Sequence, residues 1–302
     1  MVTELGAIFL GVITPVYTLV AIGYLLGKRL GLEAHTLSRY AYFILVPAFV
    51  FSVMSTADIP ARLAVQMVGY IVTVHIAIAA VALVLALALR RPAEMVGAYV
   101  LIAVFGNVGN FGLPLIEFHL GREALVPATV YFLAVIVTAF IISVTAASWH
   151  RGGSGHALLS VLKTPALIAL VPAIAFNAST IAPPLFIARS ADLLGSAMVP
   201  TLLVTLGVQL STAPRIRIDR DMLMSTGVRL LGAPIIALLL AIPFALTDTA
   251  RVAGILQASM PTAVLALLVA MEHKLLPHFV TMAVLFSTLA SVVTLTLLMA
   301  LL

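Results

Sequence analysis

The chain has 302 residues, of which 63% are hydrophobic and only 9% charged, and its mean hydropathy is +1.23. A soluble domain carries far more charge, so the class is a polytopic membrane protein. The net charge of +5 lies in short basic clusters between apolar runs, which points to loops rather than nucleic-acid binding, and the lack of cysteine excludes disulfides, thiolate chemistry and cysteine metal sites.

A bilayer core of ~30 Å needs ~20 residues of helix. Apolar runs of that kind fall near residues 6–27, 37–55, 64–89, 93–120, 124–148, 164–186, 191–212, 222–246, 250–272 and 277–302, which predicts ten spans. The first run lacks a basic leader and a small-residue cleavage site, so it reads as a retained helix and not a signal peptide. With the N-terminus outside, the inside loops and flanks hold Lys28, Arg29, Arg39, Arg90, Arg91, Arg151, Lys163, Arg215, Arg217, Arg220 and Lys274, and the outside ones only Arg62, Arg122, Arg189 and Arg251. The bias toward the inside predicts both termini outside.

Span four contains an anomaly, "GNVGNFGLP" at 106–114, with three glycines, two asparagines and a proline in nine residues. Such a run marks a turn in a soluble protein. In hydrocarbon each unpaired backbone group costs several kcal/mol, so the break must line a cavity or meet a partner.

The longest inside connection, "HRGGSGHALLSVLK" at 150–163, divides the chain into two sets of five spans. The expected organisation is a first repeat over 1–150, a short cytoplasmic linker over 151–163 and a second repeat over 164–302. Prolines match across the halves: Pro15 with Pro165, Pro47 in "LVPAFVFSVM" with Pro200 in "MVPTLLVTLGVQL", and Pro114 with Pro261 in "QASMPTAV", at separations of 150, 153 and 147 residues. An odd number of spans per half inverts the second repeat. Inverted repeats with interrupted helices at matching positions point to a secondary transporter's binding site.

Proline is best tolerated at a helix start, so second half-helices are expected to begin at Pro114 and Pro261, with Ser259 or Met260 as cap. Two helix starts converging at mid-membrane would present positive backbone to an anion such as a carboxylate. The residues expected to line this site are Asn107, Gly109, Asn110, Gly112 and Pro114 in span four, and Gln257, Ser259, Pro261 and Thr262 in span nine.

"GNVGNFGLPL", "QASMPTAV" and "MVPTLLVTLGVQLS" together resemble the auxin efflux carrier family, which includes bacterial malonate and malate carriers and, more distantly, the plant PIN-FORMED auxin carriers. The likeness extends over essentially all ten spans, and the short link at 150–163 resembles bacterial members. It implies an all-α fold like that of the sodium–bile acid symporters, with spans 1, 2, 6 and 7 as a scaffold and spans 3–5 and 8–10 as a transport domain. It implies transport of an organic anion, a carboxylate that is either a dicarboxylate such as malonate or a hydrophobic monocarboxylate of auxin type, by an elevator or rocking motion, a homodimer, and residence in the bacterial cytoplasmic (inner) membrane. By the same resemblance, Asn107 and Asn110 fall on the polar positions of the crossover motif.

Ionisable residues at membrane depth are functional candidates. Glu117, His75 and Arg229 are candidates for coupling or counter-charge. Against these stand an outward-facing Glu117, a neutral hydrogen-bonded His75 and an Arg229 that snorkels to the surface. Asp192 is expected to cap span seven and Gln209 to bond a neighbouring helix or a cation. No cofactor or metal is expected, and sodium coupling, proton coupling and uniport all stay open. The chain lacks GxSxG, HExxH and a phosphate loop, so no enzyme is expected. An anion channel or pore is the competing function.

Overall fold

The computed structural model describes residues 6–148, 164–179, 181–212 and 218–302. The linker expected over 151–163 lies outside the described residues. In chain order the helices are α1 (Gly6–Leu26), α2 (Ala34–Ser55), α3 (Ala61–Ala88), α4 (Ala93–Val104), α5 (Leu113–Leu120), α6 (Leu125–Ser148), α7 (Pro165–Ala178), α8 (Leu185–Ser211), α9 (Arg220–Phe244), α10 (Asp248–Ala258), α11 (Leu265–His273) and α12 (Pro277–Leu301). Seven of them, α1, α2, α3, α6, α8, α9 and α12, are long and apolar enough to cross a membrane. Among the described residues no β-strand forms; one isolated antiparallel bridge joins Gly106 and Thr262.

Four prolines are each preceded by one wide turn, whereas Pro172 in α7 and Pro200 in α8 lie inside regular helix. These π-turns cover Phe9–Ile13, Ala41–Leu45, Val108–Gly112 and Val228–Gly232, ahead of Pro15, Pro47, Pro114 and Pro234. A proline ring collides with the carbonyl four residues back and offers it no N–H. Widening the turn relieves that collision. The residue before each proline instead bonds five residues back: Thr14 to Phe9, Val46 to Ala41, Leu113 to Val108 and Ala233 to Val228. Single π-turns of this kind are uncommon and often lie at functional sites.

Helix packing separates into two sets of contacts. In the first, α1 lies along α8, and α2 lies against α7 and α8. Glycines let α1 and α8 touch backbone to backbone: a Cβ on Gly23 would sit 2.1 Å from the Val204 carbonyl oxygen, and one on Gly207 2.0 Å from that of Val20. Small residues are the usual means by which membrane helices approach so closely. In the second set α3 packs on α4, α6 and α9, α10 on α6 and α9, and α12 on α4 and α9. At one end of this set Asp221 accepts from Arg91 Nε at 2.8 Å and from the Tyr99 hydroxyl at 2.6 Å, tying α9 to α4.

Several expected boundaries shift. The sixth apolar run ends as helix at Ala178, and α8 begins at Leu185 instead of near 191. Asp192 is therefore inside α8 and caps nothing; its carboxylate accepts from Ser52 at 3.5 Å.

Candidate functional site

The helix begun by α4 stops at Val104, and the chain runs extended through Phe105 and Asn107 before turning helical again at Val108. The helix α10 stops at Ala258, and helix resumes at Leu265. Neither half-helix starts at its proline as the sequence suggested. Pro114 lies a full turn inside the resumed helix, made tolerable by the π-turn before it, and Pro261 lies in the extended stretch itself. Ser259 belongs to the end of α10, where its hydroxyl donates to the Ile255 carbonyl at 2.6 Å.

The two interruptions meet. Asn107 N–H donates to the Pro261 carbonyl at 2.7 Å and Ala263 N–H to that of Phe105 at 2.8 Å. The orphan carbonyls at the end of α4 are all taken: Leu101 by Phe105 N–H, Val104 by Gly106 N–H, Ile102 by the Thr262 hydroxyl at 3.2 Å and Ala103 by Arg229. At the end of α10, Ser259 N–H serves Ile255 and Leu256, Met260 N–H serves Gln257, and Arg229 again serves Ala258.

Arg229 thus reaches both helix ends. It is fully buried, and its guanidinium donates to Met260 at 2.5 Å, Ala103 at 2.8 Å and Ala258 at 2.9 Å. Its side chain does not snorkel to the surface. Gly106 makes room for it, since a Cβ there would stand 2.3 Å from Nη2.

The restarting ends are different. The first N–H groups of a helix have no carbonyl behind them. Those of Val108, Gly109 and Asn110, and of Val264 and Leu265, meet no acceptor outside their own helix among the described residues. The side chain of Asn107, 3% exposed, has an unpartnered Nδ2. Gln257 donates to the Ala128 carbonyl at 3.2 Å, and its unpartnered Oε1 rests against Gly112, where a Cβ would stand 2.2 Å away. Asn110 and Gly109 are half-buried, and Gly109 faces Phe132. Thr262 is fully occupied within the protein, its N–H on the Ser287 hydroxyl at 3.1 Å and its own hydroxyl on Ile102.

Of the remaining candidates, Glu117 lies on α5 with Arg122 at 3.6 Å, and His75 bonds the Ile71 carbonyl of its own helix at 2.8 Å with Nε2 unpartnered. Neither makes a hydrogen bond to the crossing. Gln209 donates to the Ser38 hydroxyl at 3.2 Å, on a neighbouring helix.

Two groups escaped the sequence reading. Tyr17 of α1 donates to the Thr288 carbonyl of α12 at 2.7 Å, and its ring meets Phe111 edge-on at 5.7 Å. Tyr131 is buried with an unpartnered hydroxyl, against Gly254. No spacing in the sequence marks either. A cavity of about 200 Å³ opens beside the start of α11, bounded by Gln209 of α8 and Thr212 just past its end, Val264, and Thr281 of α12. Both restarting ends therefore border α8, which also packs on the π-turn at 108–112.

A family model for a membrane transport protein, that of the auxin efflux carriers, matches residues 8–151 and 153–299. The chain belongs to that family. Among curated relatives of this auxin efflux carrier family member, the "Putative malonate transporter" of Rhizobium meliloti (strain 1021) is 25% identical over 301 residues, covering 95% of this chain and 93% of the relative. An "Uncharacterized transporter" of Methanothermobacter thermautotrophicus is 26% identical over 298 residues, covering 95% and 97%. The chain is thus an integral membrane transporter.

Proposed function

We propose that the protein is a secondary carrier of a small organic anion, a carboxylate, bound where the two interrupted helices cross. The observation that carries this is the asymmetry of the crossing. Every carbonyl at the ends of α4 and α10 has a donor, whereas the N–H groups at the restarts, with the Asn107 side-chain amide beside them, meet no acceptor outside their own helix among the described residues. Unpaired N–H groups at helix starts are an anion's natural partners. The malonate named for one relative belongs to the same chemical class.

In this reading the chain crosses the membrane ten times, α4 with α5 and α10 with α11 each making one broken span and α7 a short one. The two halves are inverted copies. Packing supports this, because the pairing of α1 with α8 has its counterpart in α7 with α2, and α10 on α6 its counterpart in α4 on α12. The scaffold is α1, α2, α7 and α8; the transport domain is the rest and moves against it, by an elevator or rocking motion. Both termini lie outside the bacterial inner membrane, and the carrier works as a homodimer.

Thermal unfolding of the purified protein against a panel of carboxylates, with and without sodium, tests the reading. A ligand that binds only the folded form raises the midpoint with occupancy. Stabilisation by one acid, lost in Asn107→Ala and Pro261→Ala variants that still fold, is the expected result. No response to any carboxylate overturns the anion assignment, and an open-pore current in reconstituted bilayers overturns the carrier assignment.

A further inference from the structure

Four helix ends meet at the crossing, and their charges oppose one another. Each end carries roughly half an elementary charge, negative at a C-terminus and positive at an N-terminus. The ends of α4 and α10 supply about one negative charge in sum, and the starts at Val108 and Leu265 about one positive. Left alone, the crossing is close to neutral and has little hold on an anion.

We infer that Arg229 gives the crossing its polarity: its buried guanidinium cancels the two negative helix ends, so that the two positive ends act on one anionic charge. This deepens the function proposed above and rests on it for the identity of the ligand. Arg229 does not touch that ligand. Its three bonds run to the carbonyls of Ala103 and Ala258, in the last turns of α4 and α10, and of Met260, two residues beyond α10. It is a positioning residue, approaching from α9, whereas the restarting ends border α8. Of the other charged groups on or beside these helices, Glu117 pairs with Arg122, Arg91 with Asp221 and Asp248 with Arg251, and Glu94 is exposed in the first turn of α4, far from the crossing.

The charge count also selects a substrate. A crossing with a net charge of about +1 matches a monocarboxylate. A dicarboxylate such as malonate brings a second charge for which the crossing has no partner. The preferred substrate is therefore a monoanion.

The absence of native cysteine allows a direct test. In an Asn110→Cys protein the new thiol sits at the restart of span four, and the thiolate, favoured by positive potential, is the form that reacts. Its alkylation by a small neutral reagent at pH 7 is measured with Arg229 intact and in Arg229→Lys, Arg229→Gln and Gly106→Ala backgrounds. Arg229→Gln is expected to slow the reaction about tenfold and Arg229→Lys, which keeps the charge, to slow it less than twofold. Gly106→Ala, whose Cβ would displace Nη2, is expected to slow it several-fold and answers the question should Arg229→Gln fail to fold. Rates unchanged by Arg229→Gln, or by Gly106→Ala if the former does not fold, overturn the inference. The same proteins are titrated with acetate-type and malonate-type acids. Tighter malonate binding overturns the charge count. Binding of no acid, with the thiol rates as expected, leaves the polarity standing and removes the carrier reading.

Discussion

Gly207→Ala is the sharpest test of the packing. The added methyl would meet the Val20 carbonyl oxygen at 2.0 Å, Tyr24 N at 2.7 Å and the Gly23 Cα at 2.9 Å. All three are backbone atoms, so no side chain can turn aside. To reach an ordinary contact of 3.4 Å, α1 and α8 must part by about 1.4 Å along that line. Separation on that scale loosens contacts along the whole helix pair. Overpacking of a core costs about 1–3 kcal/mol where neighbours can adjust; with backbone on every side the cost lies at the upper end. At roughly 2–4 °C for each kcal/mol, the thermal midpoint of the purified protein falls by about 6–12 °C. Gly227→Ala is the control, because a Cβ there meets nothing within 4 Å, and its midpoint is expected within 2 °C or so of the parent. A Gly207→Ala midpoint equal to that of the control refutes the backbone contact between the two helices.

Three further substitutions probe other parts. Tyr17→Phe keeps the ring contact with Phe111 but removes the bond to Thr288, a net loss of about 0.5–1.5 kcal/mol. If α1 and α12 separate during transport, it shifts the population of the alternate state about two- to thirteenfold, read by labelling single cysteines across the α1–α12 boundary. Asp221→Asn replaces the shared acceptor of Arg91 and Tyr99 and is expected to cost about 1–3 kcal/mol in denaturation, with Tyr99→Phe costing less. Glu117→Gln is expected to leave the midpoint unchanged, since its 3.6 Å pair with the exposed Arg122 is worth at most ~0.5 kcal/mol.

The membrane class and the interruption at 106–114 were legible because both depend on local composition: apolar length for one, and clustered glycine, asparagine and proline for the other. Where helix resumes was not legible. It depends on whether a π-turn absorbs the proline, and that choice is settled by packing around Val108–Gly112 rather than by the residues themselves. Arg229 was visible as a charge at membrane depth, but the direction of its side chain was not. A snorkelling arginine and a buried one have the same spacing, and only the folded crossing supplies the carbonyls at Ala103, Ala258 and Met260 that decide between them. Asp221, Arg91 and Tyr99 are 122 or more residues apart in two of their pairings, beyond any local pattern.

The four π-turns have an evolutionary consequence. A π-turn is an α-helical turn holding one residue more than it needs, so removing that residue restores the regular ladder while the helix beyond keeps its facing. Each proline-marked turn is therefore a point where a single-codon insertion or deletion is absorbed locally, without re-aiming the half-helix beyond it. At Val108–Gly112 such a change would alter which side chains the turn presents to the gap while leaving Leu113–Leu120 in place. Related carriers with different cargo are expected to differ there by single-residue gaps more often than by substitutions in the long helices.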